Sequence, residues 1–521
     1  MPLEASTRIV HALAERGYNA DREAVTLLAG ASDPQAAINR AVEAVPEGTV
    51  VVTAAHVKES LETPADERVH TPTGQTDAAQ DTDEQHPSVS SGNEPDNSDD
   101  MAGTVPVETE GSSRGARSAT RSPPDPELSG DIQSTGTGEY GDFVSVFRDR
   151  YEKLADQLRG RVNHRPTDAV AEMSGNSDAA IIGMVSDIRT TASGHWLVEL
   201  EDTNGTFPCL VMKDRDFADD ARTLLPDEVI AVEGTLADDA GILFVDSLFF
   251  PEVPRTYTPS TADREVEAAL VSDVHVGSEE FRGDAWDRFA DWLHTEEAES
   301  VEYLLIAGDM VEGVGVYPGQ DEELDIVDIY DQYEAFNEYL KDVPGDMEIV
   351  MIPGNHDAVR LAEPQPAFDE ELRDIMSAHD ARITANPSTV TVEGVSVLMY
   401  HGTSFDEIIA ELPDEYAGYD NPEGTMAQLL RKRHVAPKYG GMTRIAPEEE
   451  DHLVIEEVPD IVHTGHIHKL GYGTYHNVLT INSSCWQSQT DFQESVNLEP
   501  DVGYAPIVNL QTLDLTIRQF V

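Results

Sequence analysis

The amino-acid sequence predicts a multidomain protein whose carboxyl-terminal half is a layered α/β domain. From residue 266 onward, apolar β-prone runs alternate with amphipathic helical stretches, as expected for sheets covered by helices. Between residues 180 and 249, five short runs of alternating polarity predict a small closed β-barrel. Apolar positions such as Leu13, Leu28 and Ile38 predict a small, mostly helical unit near the amino terminus.

Composition marks the boundaries between these parts. Residues 61–139 contain no aromatic residue and are rich in Ser, Thr, Gly, Pro, Asp and Glu, so they cannot bury enough apolar surface to fold. Beyond them, apolar residues from Phe143 to Leu158 lie on one helical face. The predicted segments are a small helical N-terminal domain (1–60), a disordered acidic linker (61–140), a helical connector (141–172), an oligonucleotide-binding (OB) type barrel (175–255) and the α/β domain (266–521).

The barrel segment contains few basic residues, namely Arg189, Lys213, Arg215 and Arg222, among many carboxylates. Because a barrel that binds single strands needs a basic groove with stacking aromatics, a structural platform is favoured over a nucleic-acid-binding module. One helical segment is expected near 219–225. The five predicted strands are 180–185, 196–200, 207–212, 229–234 and 242–249.

The charge of the chain is strongly acidic along its whole length. Its 521 residues include 34 Lys and Arg against 100 Asp and Glu, which gives a formal net charge of −66, and only seven of the basic residues are lysines. This composition is typical of proteins from extreme halophiles, in which salt near 1 M shortens the Debye length to ~3 Å and screens self-repulsion. The net charge therefore does not exclude a DNA substrate.

Other classes of protein are excluded by simple counts. Cys209 and Cys485 are the two cysteines, too few for a disulfide framework or a four-thiolate zinc site, so any metal ion must be held by His and carboxylates. No run of 18 apolar residues exists, and residues 1–17 lack the basic start and apolar core of a signal peptide. The expected location is cytoplasmic, without membrane association.

Five short motifs each follow an apolar, β-prone run in the α/β domain. Because sites in α/β sheets form where strands end, all five can converge on one edge, and the adjacent glycines allow tight turns there. One such motif alone is a weak signal, but together they supply ligands for two divalent ions, with Mn²⁺ favoured by the mixed N/O set and Mg²⁺ as the alternative. The motifs are Asp273-Val274-His275, Gly308-Asp309, Gly354-Asn355-His356-Asp357, His401-Gly402 and Gly465-His466-Ile467-His468.

This set of motifs resembles that of the calcineurin-like metallophosphoesterases, over residues 266 to about 515. In that family two ions clamp the phosphoryl oxygens and lower the pKa of a bound water. The resemblance implies that His356 protonates the leaving oxygen or stabilises the developing charge, and that Glu312, where relatives carry an Asp, orients His356. It further implies ligands of the first ion (Asp273, His275 and His468), a bridging carboxylate (Asp309) and ligands of the second ion (Asn355, His401 and His466).

A second resemblance is more specific. Residues 429–441 (LLRKRHVAPKYGG), Ile445-Ala446-Pro447-Glu448 and the run from Ile481 to Gln487, together with the order of the domains, resemble the small subunits of archaeal family D DNA polymerases. The resemblance implies a 3′–5′ exonuclease that acts on single-stranded or mispaired DNA ends. It also implies a heterodimer with a large catalytic subunit. The alternatives are a free-standing repair nuclease or phosphodiesterase and a catalytically silent structural subunit.

Residues 431–444 hold several basic side chains and no acidic residue. One interpretation is that these side chains guide DNA phosphates into the site, since arginine matches phosphate geometry. The other is that the segment docks onto the large subunit or onto carboxylates of this chain. The candidate DNA-binding residues are Arg431, Lys432, Arg433, Lys438 and Arg444.

Overall fold

The structure is a computed structural model that describes residues 19–20, 28, 37–38, 40–41, 51–52, 57–58, 107–109, 123–129, 132, 140–316 and 320–521. The chain divides into two compact units, residues 1–96 and 97–521. In the first unit, β1 (Asn19–Ala20) pairs in parallel with β2 (Val51–Val52). Residues 28, 37–38, 40–41 and 57–58 are helical, and the rest of the predicted helical N-terminal domain lies outside the described residues.

The second unit begins with two short strands, β3 (Val107–Thr109) and β4 (Glu127–Ser129), and two helices, α1 (Tyr140–Arg159) and α2 (Thr167–Ala171). A five-stranded barrel follows and closes in the order β5-β6-β7-β9-β8, which confirms the predicted closed barrel. The expected helical segment is a 3₁₀ turn at Ala218–Thr223. The barrel strands are β5 (Asp178–Thr190), β6 (Trp196–Asp202), β7 (Gly205–Val211), β8 (Val229–Leu236) and β9 (Leu243–Phe249).

The remaining strands build two sheets. They are β10 (Glu267–Val271), β11 (Val301–Ala307), β12 (Glu348–Ile352), β13 (Arg382–Ile383), β14 (Ser388–Val392), β15 (Val395–Met399), β16 (Ile461–Thr464), β17 (Leu470–Tyr475), β18 (Val478–Ser483), β19 (Tyr504–Asn509) and β20 (Leu515–Gln519). One sheet has the order β13-β12-β11-β10-β19-β20-β3, and the other has the order β17-β18-β16-β15-β14-β4. Strands β10 to β13 run parallel, as do β15, β16 and β18.

Six helices accompany these sheets. None of the helices in the described part of the chain has the length and apolarity that crossing a membrane requires. The helices are α3 (Gly283–Leu293), α4 (Ile329–Lys341), α5 (Glu370–Ile375), α6 (Phe405–Glu411), α7 (Pro422–Lys432) and α8 (Asp491–Ser495).

The two sheets pack face to face with helices outside them. Buried residues of β10 and β11, such as Leu270 and Leu305, share one core with Val390 and Val397 of the second sheet. Helices α3 and α4 cover the other face of the first sheet. Helices α6 and α7 cover the outer face of the second sheet. Every side chain of β11 is buried, as a strand covered on both faces requires. The layered α/β prediction is therefore confirmed.

The prediction of a disordered linker over 61–140 is wrong for β3 and β4. Strand β3 pairs with β20, and β4 pairs with β14, at the edges of the two sheets. The Ser129 hydroxyl also donates to the Thr389 carbonyl at 2.8 Å. An edge strand can be held by backbone hydrogen bonds to its neighbour, so it needs little apolar content of its own, and composition could not reveal it.

Candidate metal centre

All five motifs lie at the carboxyl ends of strands that meet at one edge. Asp273 and Asp309 follow β10 and β11, His356 follows β12, and His401 and His466 follow β15 and β16. Several of these residues have a left-handed backbone conformation, which is uncommon for residues other than glycine. Residues in this conformation are concentrated at functional sites. The backbone φ is 52° at Asp273, 56° at His275, 52° at Asp309, 73° at His466 and 54° at His468.

Two glycines allow the ends of these strands to lie close to the candidate ligands Asp309 and Asp273. A Cβ atom at Gly354 would collide with the Asp309 carboxylate, and one at Gly465 would collide with the Asp273 carboxylate. Any larger residue at either position would therefore push a candidate ligand out of place.

The predicted first-ion ligands Asp273, His275 and His468 form one cluster, with one candidate ligand atom from each within 4.8 Å of the others. Nε2 of His275 lies 3.1 Å from Nε2 of His468, which lies 3.5 Å from Oδ1 of Asp273. All three residues are buried. Such a group of converging nitrogen and oxygen atoms can hold a divalent ion.

Two of the predicted second-ion ligands, His401 and His466, form an adjacent cluster with the predicted bridge Asp309. Nε2 of His401 lies 3.2 Å from Oδ2 of Asp309 and 3.0 Å from Oδ1 of Asn355. The same Oδ2 atom of Asp309 lies 3.8 Å from Nε2 of His275 in the first cluster. Asp309 therefore stands between the two clusters, where a bridging carboxylate is expected.

Hydrogen bonds on the far side of each ring select the nitrogen that faces the site. Nδ1 of His275 bonds to Oε2 of Glu312 at 2.8 Å, and Nδ1 of His401 bonds to the Ala307 carbonyl at 2.8 Å. These acceptors place the proton on Nδ1, which leaves Nε2 as the ligand atom. Nε2 of His466 lies 3.2 Å from Oδ2 of Asp406, which leaves Nδ1 for a metal ion. Sequence analysis missed Asp406, because its partner lies 60 residues away.

Charge within the site is balanced between imidazoles and carboxylates. Burial disfavours the imidazolium of His275, but Glu312, Asp309 and Asp273 outweigh it and raise its pKa to about 9. At His401 burial is likewise outweighed, chiefly by Asp309, and its pKa rises to about 10. Although burial opposes it, His401, His356 and His275 hold the pKa of Asp309 well below its usual value. The donor set fits two divalent cations, which would replace these protons.

His356 lies beside both clusters without belonging to the predicted ligands. Its backbone N–H donates to Oδ1 of Asp309 at 2.8 Å. Its Nδ1 donates to the backbone carbonyl of Glu312 at 2.7 Å. With Nδ1 engaged in this way, any proton passed to a leaving group would come from Nε2.

The expectation that the Glu312 carboxylate orients His356 is corrected by this geometry. The carboxylate bonds to His275 at 2.8 Å, whereas its Oε1 atom lies 3.7 Å from Nδ1 of His356. Glu312 thus orients His356 through its backbone and His275 through its side chain.

Two glutamines fix the Glu312 carboxylate. Nε2 of Gln320 donates to Oε1 at 2.9 Å, and Nε2 of Gln487 donates to Oε2 at 2.8 Å. Burial opposes ionisation, but His275 outweighs it and lowers the pKa of Glu312 to about 2. The carboxylate is therefore ionised, and its two glutamine partners were not predicted.

The basic segment 431–444 begins with contacts to the barrel. Arg431 donates to Asp220 at 2.6 Å, and its guanidinium carbon lies 3.9 Å from the centre of the Phe250 ring. Lys432 is buried and donates to Glu228 at 2.6 Å. These side chains join the α/β domain to the barrel.

Two further side chains of the segment are also engaged. Arg433 is buried and donates to the backbone carbonyls of residues 455 and 456. Lys438 pairs with two carboxylates of α6, and Arg444 is exposed. The DNA-guide interpretation is thus wrong for Lys432 and Arg433, whose burial hides them from phosphates, and internal pairing also engages Arg431 and Lys438. Docking onto carboxylates of this chain was the correct alternative for Arg431, Lys432 and Lys438.

Comparison with known proteins places this geometry in a family. Residues 268–470, which include all seven predicted ligands, match the family of B-type subunits of DNA polymerases alpha and epsilon. The chain is 65% identical over its full length to the DNA polymerase II small subunit of Halobacterium salinarum, whose whole length is also covered. The chain belongs to the DNA polymerase II small subunit family. The similarity to a Halobacterium protein also agrees with the halophilic composition.

Other DNA polymerase II small subunits are more distant. The Archaeoglobus fulgidus protein is 44% identical, over 71% of this chain and 75% of its own length. Among solved structures, a novel archaeal phosphodiesterase is 12% identical over 48% of this chain and 98% of its own, with a TM-score of 0.25. A score this low carries no argument about the fold.

Proposed function

We propose that this DNA polymerase II small subunit carries a two-metal 3′–5′ exonuclease that removes nucleotides from single-stranded or mispaired DNA ends. The observation that carries the proposal is the position of Asp309. One oxygen of its carboxylate lies 3.2 Å from Nε2 of His401 and 3.8 Å from Nε2 of His275. A single anion placed between two ligand clusters offsets the mutual repulsion of two cations, which a one-metal site would not need.

The two ions, Mn²⁺ or Mg²⁺, would clamp the phosphoryl oxygens and lower the pKa of the attacking water. Water would then attack phosphorus and lose a proton to solvent, the bond from phosphorus to the 3′ oxygen of the next nucleotide would break, and a nucleoside 5′-monophosphate would leave. His356 supplies a proton from Nε2 to that 3′ oxygen, while its Nδ1 remains on the Glu312 carbonyl at 2.7 Å. Glu312 and Asp406 hold His275 and His466 in the orientation in which each would offer a ring-nitrogen lone pair to a bound ion.

A large catalytic subunit belongs to the proposal as the partner of this chain. The relatives are named small subunits of DNA polymerase II, and a small subunit implies a larger one. In this complex the barrel would serve as a structural platform. Arg431 and Lys432 of the proposed nuclease domain donate hydrogen bonds to the barrel segment. An exonuclease beside a polymerase would remove mispaired ends.

The test is degradation of single-stranded DNA labelled near its 3′ end, in multimolar KCl with Mn²⁺, with and without the large subunit. The expected product is a ladder that shortens from the 3′ end and disappears when EDTA is added. His356→Ala should slow cleavage by about 10²–10⁴-fold, the usual range for a lost proton donor. Both ions should remain bound to this variant, because His356 is not one of the predicted ligands.

The matched control is His452→Ala, which removes a half-buried histidine outside the candidate site and should cleave at the wild-type rate. A complex that leaves the DNA intact under saturating Mn²⁺ would identify the chain as a structural subunit. Full activity of His356→Ala would instead reject the assigned proton donor. Full activity without any large subunit, together with failure to bind one, would favour the free-standing nuclease.

A further inference from the structure

Most of the basic side chains of segment 431–444 are not available to hold DNA. Arg431, Lys432, Arg433 and Lys438 are all engaged within the protein. Contacts to phosphates also weaken steeply with salt, and the composition is that of a protein from concentrated salt. Stacking of bases on aromatic rings does not depend on charge, so it remains effective under such conditions.

The exposed aromatic ring of Tyr419 is connected to the second ligand cluster by hydrogen bonds through Asp406. Tyr419 lies between α6 and α7 with 39% of its surface exposed. Its hydroxyl donates to Oδ1 of Asp406 at 2.7 Å, and the other oxygen of Asp406 lies 3.2 Å from Nε2 of His466. The next residue, Asp420, pairs with Lys469 at 3.3 Å, beside the first cluster. The loop that carries Tyr419 therefore lies at the rim of the metal centre.

A second exposed ring belongs to the chain neighbour of a residue that contacts the first ligand cluster. Phe492 lies on α8 and is 56% exposed. The neighbouring residue, Gln493, places Nε2 2.9 Å from Nδ1 of His468. Gln493 also closes a capping box with Thr490, which fixes the start of the helix. Phe492 therefore directly precedes a residue that contacts the first ligand cluster.

We infer that Tyr419 and Phe492 are stacking platforms that hold the bases of a single-stranded DNA end while its phosphate lies at the metal centre. This inference rests on the proposed function. An exposed aromatic ring alone is ordinary, but here Tyr419 is bonded through Asp406 to His466, and Phe492 directly precedes Gln493, which contacts His468. Stacking accepts any base, as an exonuclease that removes every nucleotide requires.

The test is the dissociation constant for a 5′-fluorescein single-stranded oligonucleotide, measured by anisotropy with Mn²⁺ and multimolar KCl. The full chain carries His356→Ala throughout, so that the DNA is not consumed. Tyr419→Ala and Phe492→Ala should each raise the dissociation constant by about 5- to 150-fold, the range that loss of one stacked base gives. Tyr419→Phe and Phe492→Tyr keep the ring and should bind as tightly as the parent. Tyr140→Ala, which removes an 84% exposed ring on α1, is the matched control.

A second oligonucleotide, abasic at its three terminal 3′ positions, separates stacking from other causes. If the rings hold bases, both alanine variants should bind this DNA as the parent does. Alanine variants within twofold of the parent on normal DNA would overturn the inference, as would an equal loss of binding on abasic DNA. If Tyr419→Phe binds as poorly as Tyr419→Ala, the hydroxyl bond to Asp406 matters and the stacking role of Tyr419 is rejected.

Hydrolysis of bis-p-nitrophenyl phosphate, measured with His356 intact, tests the metal centre separately. This small substrate has no base to stack, so its hydrolysis by the wild-type protein reports on the metal centre alone. If the wild-type protein hydrolyses neither this ester nor DNA, the proposed function fails. The anisotropy measurement still decides the stacking role in that case, because it needs no cleavage.

Discussion

The Nε2 atoms of His275 and His468 face each other across 3.1 Å. Two ring nitrogens at this distance require a shared proton or a shared cation between them, because their lone pairs repel. Nδ1 of His275 is already bonded to Glu312, so Nε2 is the nitrogen available to a cation. The pair therefore forms the centre of the proposed first metal position.

The two ligand clusters should respond differently to substitution. Asp309→Asn should lower the occupancy of both ions, because the Asp309 carboxylate reaches histidines of both clusters. His275→Ala should weaken mainly the first ion. Metal counting on purified variants at a fixed free Mn²⁺ concentration measures both effects. Loss of the same single ion in both variants would contradict the assignment of the bridge.

The contact between the barrel and the α/β domain should depend on Lys432. Its side chain is fully buried against Glu228, so Lys432→Met leaves an unpaired buried carboxylate and should destabilise the protein by about 3–5 kcal/mol. Urea denaturation in multimolar KCl measures this change. The double variant Lys432→Met/Glu228→Gln should recover most of the loss, since Gln can keep the bond from the Leu225 amide.

Arg444→Ala is the control for the Lys432 experiment, because Arg444 is the exposed member of the segment. It should unfold at the wild-type urea concentration. If the Lys432→Met protein is as stable as the wild type, the buried Lys432–Glu228 pair does not contribute to the free energy of unfolding.

Buried His434 should make stability depend on pH. Burial and the nearby Arg150 outweigh Asp451 and lower the pKa of His434 to about 4, below its ordinary value near 6.5. Between pH 6.5 and 4 the unfolded chain therefore binds a proton that the folded chain does not, so the free energy of unfolding falls as pH falls. From pH 7 to pH 5 the contribution of His434 is about 2 kcal/mol.

The comparison for His434 is His434→Gln, which cannot bind this proton. Urea denaturation at pH 7 and pH 5 should show a smaller loss of stability in the variant than in the wild type. The same dependence on pH in both proteins would show that His434 is protonated in the folded state or that other groups dominate.

The acidic composition should make folding depend on salt. At low ionic strength the net charge of −66 repels itself over long distances, so dialysis from multimolar KCl should unfold or aggregate the chain. Circular dichroism against KCl concentration follows the transition. A native spectrum retained at about 50 mM KCl would contradict the halophile prediction.

Several features of the fold and the site followed from local sequence patterns. Alternation of apolar residues located the barrel strands, and helical spacing located α3 around Trp286 and Phe289. The strand-end motifs named Asp273, Asp309 and His401, which the structure brings to one edge. These predictions succeeded because burial on one face imposes a period on the sequence, and because parallel strands bring their carboxyl ends to the same edge.

Other features depended on tertiary pairing. A charged segment looks the same in sequence whether it faces DNA or a carboxylate, and the partner of Lys432 lies 204 residues away in the barrel. Asp406 gains a role only because folding brings it to His466, and β3 and β4 are ordered by backbone bonds to neighbouring strands. Sequence by itself thus determined the candidate ligands and the strands that carry them. The tertiary structure decided which charges are paired, because a pair depends on distance in space and leaves no period in the chain.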